Sequence, residues 1–294
     1  MIIAVASGKG GTGKTTVATS LAAAVPADTF LDCDVEAPDA HIFLNPEFQE
    51  QKNVDILIPQ VDLQKCTACG KCADVCQFNA IALMGQDPLV FPSLCHGCGS
   101  CTLNCPEGAI QEVPRTLGVL ESGPAAHGIQ FAQGLLNVGE PMAVPVISQL
   151  KKWRSQRNTH LEIRDAPPGT SCPVVESLRG ADFVLLVTEP TPFGLHDLKL
   201  AARVVKALNL PTGVIINRDR EGMSGQVRSF CEQAGLPILI SIPLKRDIAE
   251  GTARGQTLID IDATYRKRFQ AMFKEISNLS ALPDSQERFP SLEG

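Results

Sequence analysis

The sequence predicts an α/β fold, a doubly wound and mostly parallel sheet with helices on both faces, interrupted by a small cysteine-rich module. Three observations predict it. Short apolar runs alternate with helical stretches along most of the chain. The first apolar run leads through a glycine-rich loop into a helix. Eight of the eleven cysteines fall between Cys66 and Cys105.

The composition sets limits on the class of protein. The chain has 294 residues, of which 44% are hydrophobic and 20% are charged, enough for one large domain or two. The net charge of −6 gives no basic surplus for binding nucleic acid. The start of the chain reads as a strand, and no apolar run approaches the ~20 residues that span a bilayer. We therefore expect a cytoplasmic protein whose cysteines bind metal instead of forming disulfides.

The first strand–helix junction predicts a phosphate-binding site. Ile2–Ala6 reads as a buried strand and Val17–Val25 as a helix. The loop between them follows G-x4-G-K-T, in which glycines let backbone N–H groups converge on an anion at a helix N-terminus. Lys14 would reach the β- and γ-phosphates, and the Thr15 hydroxyl suits Mg²⁺. The predicted nucleotide-binding residues of this loop are Gly8, Lys9, Gly10, Gly11, Thr12, Gly13, Lys14, Thr15 and Thr16.

A second lysine, Lys9, directly follows the first glycine of the loop. The loop thereby resembles the deviant Walker A loop of the MinD/ParA group of P-loop ATPases, which includes the nitrogenase iron protein and Mrp-type iron–sulfur carriers. The resemblance implies ATP as the nucleotide, with Mg²⁺, and slow hydrolysis. It also implies an ATP-dependent homodimer, in which Lys9 crosses the interface to the partner's phosphates and joins Lys14 in catalysis.

Two acidic motifs follow predicted strands. Asp32 and Asp34 come at the end of the strand 29–33, and Asp165 ends the strand 160–165 and begins a D-x-P-P-G sequence. Carboxylates at the carboxyl ends of parallel strands face the ligand crevice. The resemblance implies that Asp34 orients the attacking water or serves the magnesium shell, supported by Asp32. It implies that Asp165 holds Mg²⁺ through water.

The rest of the chain continues the alternation of strands and helices. We predict strands at 54–58, 116–120, 129–138, 181–188, 212–218 and 237–243, and helices at 144–156, 194–208 and 262–279, with a loop at 123–128. The resemblance implies that Asn217 reads the adenine edge, beside Arg218, and that Pro243 flanks the ring. The amphipathic helix at 262–279 is expected to dock on the core and not on a membrane.

The cysteines form two copies of C-x2-C-x2-C-x3-C, the first beginning at Cys66 and the second at Cys95. This internal duplication resembles a bacterial two-cluster ferredoxin. In that pattern three cysteines of each run hold one cluster, and the fourth ligates the other. Zinc is the alternative, although zinc sites usually use two C-x2-C pairs. The predicted 4Fe-4S ligands are Cys66, Cys69, Cys72 and Cys105 for cluster 1, and Cys95, Cys98, Cys101 and Cys76 for cluster 2.

The two signals together predict the domain organisation. Residues 59–112 form an inserted ferredoxin-like domain, residues 1–58 and 113–280 form the ATPase domain, and residues 281–294 form a polar tail. Of the remaining cysteines, Cys33 and Cys231 lie in apolar contexts and read as core thiols. Cys172 follows the D-x-P-P-G motif but does not match the motif of the bridging-cluster cysteine in the nitrogenase iron protein, so we do not assign it to a further cluster.

Three functional hypotheses remain open at this stage. The first is a nucleotide-dependent dimer switch coupled to electron transfer through the two clusters to a redox or metallocofactor partner protein. The second is an iron–sulfur or metallocofactor assembly ATPase, although the C-x2-C pair near the C-terminus of Mrp-type carriers is absent. The third is a MinD/ParA-like positioning ATPase that senses redox state.

Overall fold

The computed structural model describes residues 1–154 and 160–280, so the predicted tail at 281–294 lies outside the described residues. The strands are β1 Ile2–Ala6, β2 Thr29–Asp32, β3 Glu50–Val61, β4 Ile81–Met84, β5 Asp87–Val90, β6 Ile110–Pro124, β7 Gln130–Leu136, β8 Glu162–Asp165, β9 Phe183–Thr188, β10 Thr212–Asp219 and β11 Ile238–Pro243. The α-helices are α1 Lys14–Ala24, α2 His41–Leu44, α3 Lys71–Asp74, α4 Ser100–Leu103, α5 Ala143–Arg154, α6 Cys172–Leu178, α7 Pro192–Ala207, α8 Gly225–Gln233, α9 Arg246–Ala253, α10 Leu258–Ile261 and α11 Thr264–Ser280.

The main sheet has the strand order β11-β10-β9-β1-β8-β2-β7-β6-β3. The strands from β11 to β7 are parallel, whereas β6 is antiparallel to β7 and β3 is antiparallel to β6. The central strands are apolar throughout because helices cover both faces: Ile3 and Val5 of β1 lie in one core, and Ala4 and Ala6 lie in another. The prediction of a doubly wound, mostly parallel sheet is confirmed.

The C-terminal helix α11 docks on the core. Its buried side consists of Tyr265, Phe269, Met272 and Ile276, which join the cluster that also contains the apolar side of α1. Within residues 1–154 and 160–280, no helix combines the length and the apolar character needed to cross a bilayer.

Strands β3 and β6 are longer than the sequence predicts. Instead of segments at 54–58 and 116–120, the structure has strands of 12 and 15 residues. They pair from Glu50 with Ser122 to Val61 with Ile110. The apolar pattern missed their ends because β3 is an edge strand with many exposed polar positions. The predicted loop at 123–128 also begins too early, since Gly123 and Pro124 still pair with β7.

The cysteine-rich segment is a structural repeat with the period of the cysteine runs. The hairpin β4–β5 pairs Ile81 with Val90, and the equivalent positions of the other half, Ile110 of β6 and Val61 of β3, also pair. The short helices α3 and α4 begin at equivalent positions of the two runs. Left-handed backbone recurs in the same way, at Ala68 and Gly97, at Gly70 and Gly99, and at Asn79 and Gly108. Half of the strands in this cysteine module are therefore the ends of β3 and β6, which run on unbroken from the main sheet.

Candidate nucleotide and metal-cluster sites

The glycine-rich loop is fixed to the sheet at its C-terminal end. Gly13 has φ of 83°, and α1 begins at the next residue. The Asn217 side-chain amide, at the end of β10, donates a hydrogen bond to the Thr12 carbonyl at 2.7 Å. A Cβ atom at Gly13 would lie 2.2 Å from that amide nitrogen, so only glycine allows this approach. The loop and the predicted adenine-reading residue thus form one unit.

The centre of the site is a buried ion pair between Lys14 and Asp165. The lysine Nζ lies 2.6 Å from Asp165 Oδ1, and the side chains are 7% and 0% exposed. Thr15 Oγ1 donates to the other carboxylate oxygen, also at 2.6 Å. The pairing of strands explains why Lys14 and Thr15 lie beside Asp165. Strands β1 and β8 are neighbours, and Val5, just before the loop, pairs with Asp165. The structure thus brings Lys14, Thr15 and Asp165 together.

Three carboxylates surround this single buried lysine. Asp32 is fully buried and accepts hydrogen bonds from the backbone N–H groups of Asp34 and Ala40, each at 3.1 Å. Burial and then the charge of Asp165 raise the pKa of Asp32 well above its ordinary value. Burial also raises the pKa of Asp165. Burial alone would lower the pKa of Lys14, but the charges of Asp165, Asp32 and Asp34, together with the hydrogen bond to Asp165, outweigh burial and raise that pKa.

Asp34 lies beside these groups and is less buried. Burial raises the pKa of Asp34 to about 6, opposed by the charge of Lys14 and reinforced by the carboxylates of Asp165, Asp39 and Glu36. The site therefore carries more negative than positive charge when the carboxylates ionise. Thr15, Asp34 and Asp165 offer the hard oxygen donors that Mg²⁺ prefers, and a divalent cation would relieve this repulsion.

Two adjoining cavities open at the loop. The first has a volume of about 580 Å³ and contains the glycine-rich loop and Asp34 in its wall. The second has a volume of about 880 Å³ and lies between the end of β10, the turn after β11 and α9. Gly13, Thr16, Phe43 and Arg218 line both. The predicted residues Asn217, Arg218 and Pro243 all line the second cavity. The first cavity suits phosphates, and the second suits the rest of a nucleotide.

Lys9 pairs with an acidic residue outside the glycine-rich loop. Its Nζ lies 3.4 Å from Glu189 Oε2, and Arg218 Nη1 pairs with the other oxygen of the same carboxylate. Glu189 directly follows β9 and is 9% exposed. Glu189 was not predicted from the sequence, although an acidic residue after a parallel strand is the same signal that identified Asp34 and Asp165.

The eight clustered cysteines line two cavities of nearly equal size. The first cavity is lined by Cys66, Cys69, Cys72 and Cys105, and the second by Cys76, Cys95, Cys98 and Cys101. The grouping is that of the predicted interleaved ligand sets. Among the described residues, no three His, Cys, Asp or Glu side chains are placed to hold a single metal ion.

Backbone N–H groups donate to the sulfurs at equivalent places in the two halves. Ala68 donates to Cys66 Sγ at 3.4 Å, and Gly97 donates to Cys95 Sγ at 3.5 Å. Ala80 and Ala109 donate to the Sγ atoms of Cys76 and Cys105, each at 3.3 Å. Such donors adjust the potential of a bound cluster. The two cavities therefore fit a thiolate-bound inorganic group.

The other three cysteines lie elsewhere. Cys33 and Cys231 are buried, and burial raises their pKa to about 12 and about 11, so both stay neutral thiols at physiological pH. Cys172 is exposed at the start of α6 and lines neither cluster cavity.

The electrostatics of Asp34 lead to a prediction about stability. Its folded-state pKa of about 6 lies above its ordinary value of 3.8. Ionisation of Asp34 therefore destabilises the folded chain increasingly as the pH rises from about 4 to above 6. A shift of about two units corresponds to ~3 kcal/mol, and we expect about 1–2 kcal/mol because water partly screens this group.

The substitution Asp34→Asn should thus raise the melting temperature of the nucleotide-free protein by a few degrees at pH 8 and by less at pH 5.5. The measurement is calorimetry, with the exposed Asp87→Asn as the control. Equal stabilisation at both pH values would show that ionised Asp34 carries no such cost.

Comparison with known proteins agrees with the geometry. Residues 3–259 match the family model described as the CobQ/CobB/MinD/ParA nucleotide binding domain. The chain is 30% identical over 282 residues to uncharacterized protein MJ0578 of Methanocaldococcus jannaschii, covering 94% of this chain and 96% of the relative. It is 26% identical over 155 residues to an iron-sulfur cluster carrier protein of Aquifex aeolicus, covering 47% and 43%.

Solved structures share the fold at low sequence identity. The septum site-determining protein MinD of Pyrococcus horikoshii, complexed with Mg-ADP, has a TM-score of 0.56 at 19% identity and covers 95% of this chain and 97% of its own. The MinD chain of the MinC:MinD cell division protein complex of Aquifex aeolicus has a TM-score of 0.54 at 16% identity, covering 98% and 99%. With a family match over most of its length, this chain belongs to the CobQ/CobB/MinD/ParA family of nucleotide-binding proteins.

Proposed function

We propose that this protein is an ATP-hydrolysing iron–sulfur protein in which a nucleotide-dependent dimer switch is coupled to electron transfer through two 4Fe-4S clusters. The observation that carries the proposal is the continuity of β3 and β6. Both strands belong to the sheet that holds the nucleotide site, and both continue into the module whose cavities are lined by the eight cysteines. A change at the nucleotide site therefore has a direct mechanical route to the clusters.

The clusters would be held by the two interleaved cysteine sets. Cys66, Cys69, Cys72 and Cys105 would hold one, and Cys95, Cys98, Cys101 and Cys76 the other. When bound, such clusters accept and donate single electrons. What supports this assignment is the separation of the eight sulfurs into two four-cysteine cavities, together with the N–H donors at repeat-related positions.

The chain's own residues supply the parts of a phosphoryl-transfer site. Lys14, now bonded to Asp165, would neutralise the β- and γ-phosphates, and Asp165 and Thr15 would hold Mg²⁺, which would neutralise charge on the same phosphates. Asp34, once ionised, orients the water that attacks the γ-phosphate. Asn217, Arg218 and Pro243 enclose the base in the second cavity. Catalysis is positioning and charge neutralisation.

The dimer part of the proposal concerns Lys9. In the single chain, Glu189 holds its side chain, one-third of which is exposed. The γ-phosphate of ATP bound to a second subunit is a stronger, doubly charged partner for Lys9 than Glu189. ATP therefore favours a dimer in which two chains close face to face, and hydrolysis reopens it. The domain boundaries proposed from sequence, 58/59 and 112/113, fall within β3 and β6. They mark where two continuous strands pass from one functional unit to the other.

The second candidate is assembly of iron–sulfur or other metallocofactors. It is favoured by the partial match to proteins named iron–sulfur cluster carrier, in Aquifex aeolicus and in Methanocaldococcus jannaschii. Each cluster cavity, however, takes cysteines from both runs, so releasing a cluster disturbs both halves of the module. This arrangement favours retained clusters that carry electrons.

The coupling is tested by redox titration of the anaerobically purified protein with and without a non-hydrolysable ATP analogue and Mg²⁺. Allosteric couplings are typically 1–3 kcal/mol, so we expect at least one cluster potential to shift by on the order of 50–100 mV. The control is the Lys14→Ala variant, which should show no shift. Rapid transfer of clusters to an apo-acceptor, with unchanged potentials, would favour the assembly function instead.

A second prediction concerns cluster ligation. Purified wild-type protein should contain about eight iron atoms per chain, and each Cys→Ser ligand variant should lose one cluster. Cys72 and Cys76 lie in the same run but line different cavities. The electron paramagnetic resonance spectrum of reduced Cys76→Ser should therefore match that of Cys95→Ser and differ from that of Cys72→Ser. Identical spectra for Cys72→Ser and Cys76→Ser would contradict the interleaved assignment.

A third prediction concerns the role of Lys9. Lys9→Ala removes the charge that would cross the interface, so dimerisation driven by the ATP analogue should weaken by at least about tenfold, or 1.4 kcal/mol. Analytical ultracentrifugation measures the dimerisation. The control is Lys274→Ala, which changes a lysine of α11 that is far from the loop in sequence. ATP affinity of the monomer should change little. A Lys9→Ala protein that dimerises as the wild type does would remove Lys9 from the interface.

A further inference from the structure

A row of polar side chains crosses the sheet from the nucleotide site to its outer edge. In the strand register, Asp165 of β8 pairs with Asp32 of β2, and Asp32 pairs with Gln133 of β7. Gln133 then pairs with Glu121 of β6, and Glu121 with Gln51 of β3. Residues opposite one another in neighbouring strands lie on the same face of the sheet. The five side chains therefore form one continuous polar row over five strands.

The row is unusual because the same face is apolar one step away. Two residues earlier in the parallel strands stand Ile163, Phe30 and Phe131, all in the core covered by α1. Gln133 is 3% exposed, and burying an amide in such surroundings costs stability unless its polar atoms are bonded. A leucine at this position would bury no unpaired amide oxygen, although it would remove the donor to Glu121. The buried amide therefore calls for an explanation beyond packing.

Gln133 is bonded on one side only. Its Nε2 donates to Glu121 Oε2 at 2.9 Å, and Gln51 Nε2 donates to Glu121 Oε1 at 3.5 Å. Its Oε1 has no hydrogen-bond partner among the described residues. A side chain with one bonded and one free polar group can change partners without a net loss of hydrogen bonds. Gln133 is thus the member of the row best suited to switch between two arrangements.

The inner end of the row lies in the nucleotide site. Asp32, the register neighbour of Gln133, accepts from the N–H groups of Asp34 and Ala40 and so holds the loop that carries Asp34. Asp165 on its other side is the partner of Lys14 and Thr15. Mg·nucleotide that rearranges the Asp34 segment would act on Asp32, and Gln133 is the register neighbour of Asp32.

The outer end of the row is joined to the cluster module. Glu121 lies on β6, and nine residues earlier Glu112 of the same strand lines the second cluster cavity. Glu112 Oε1 accepts from Thr102 Oγ1 at 3.4 Å, which ties β6 to helix α4 of the module. Nine residues of antiparallel strand span ~30 Å. One strand, with a register shift at Leu117, therefore connects Glu121 with a cluster site.

We propose that Gln133 and Glu121 are positioning residues that transmit the nucleotide state of the Asp32–Asp34 segment to β6 and β3, and through them to the cluster module. The inference rests on the proposed function and names how that function is regulated. Binding of Mg·nucleotide displaces the Asp32–Asp34 segment, and Gln133 then exchanges its hydrogen-bond partner. This exchange changes how tightly Glu121 holds β6 against β3. The cysteine module moves with these two strands, whose ends are half of its strands.

The test is hydrogen exchange of the backbone amides of residues 56–61 and 110–115 in the cluster-loaded, full-length protein. It is measured with and without Mg²⁺ and a non-hydrolysable ATP analogue. In the wild type we expect nucleotide to change exchange in both segments by at least about threefold. Gln133→Met keeps the volume and removes both polar groups, so it should abolish that response while analogue affinity stays within about threefold.

Two further variants make the test specific. Glu121→Gln keeps an acceptor for Gln133 and should retain the response, whereas Glu121→Ala, at a partly exposed position, should lose it even if Gln133→Met folds poorly. Ser122→Ala is the matched control, since Ser122 is fully buried on the same strand with an unbonded hydroxyl on the opposite face. It should respond like the wild type.

Two results would overturn the relay. One is a wild-type protein in which nucleotide does not change hydrogen exchange in β3 and β6. The other is a Gln133→Met protein whose hydrogen exchange changes with nucleotide as in the wild type. The redox titration separates this failure from failure of the proposed function. If the cluster potentials shift with nucleotide but hydrogen exchange in β3 and β6 does not change, the electron-transfer coupling is supported and the relay is wrong. If hydrogen exchange responds through Gln133 but the potentials do not shift, the relay is supported and that coupling is wrong.

Discussion

The buried contact between Lys14 and Asp165 is the interaction on which the rest of the structure depends. It neutralises one of the carboxylates at the carboxyl edge of the sheet, but Asp32 and Asp34 remain, and burial raises the pKa of both. A free polyphosphate would add negative charge to a site that already has an excess. A magnesium-bound nucleotide would bring its own cation, so this charge balance favours the metal complex as the ligand.

The outer edge of the sheet explains why the cysteine module is placed where it is. A segment of about 50 residues buries too little apolar surface to be stable alone, and it needs metal ligation or a larger domain to hold it. Here β3 and β6 provide the larger domain, because their outer ends form half of the module's strands. Attachment through two paired strands is stiffer than attachment through loops. Movement of β6 relative to β7 is therefore passed on to the module and not absorbed in a linker.

Local patterns account for what could be predicted from sequence. The strand, loop and helix around Lys14 are contiguous in the chain, and the period of the cysteine repeat is visible in the spacing of its two runs. Both features could therefore be predicted without knowledge of the fold. The lengths of β3 and β6 were missed because they depend on pairing between segments that the whole cysteine module separates in the chain. Glu189 and Gln133 were missed for a related reason. Their significance comes from register neighbours on other strands, and a single polar residue within or after an apolar run gives no sign of it.

The polar row lies between the two chemical units of this chain, the nucleotide site and the cysteine module. If the module were only a store of clusters, its strands could join the sheet anywhere along its edge. Instead they join beside β7, so only β2 and β7 separate the row's last carboxylate, Glu121, from Asp165. A buried amide with an unbonded oxygen lies between them. The unbonded oxygen of this amide costs stability. Such a position beside the nucleotide site is better explained by a conformational change than by packing.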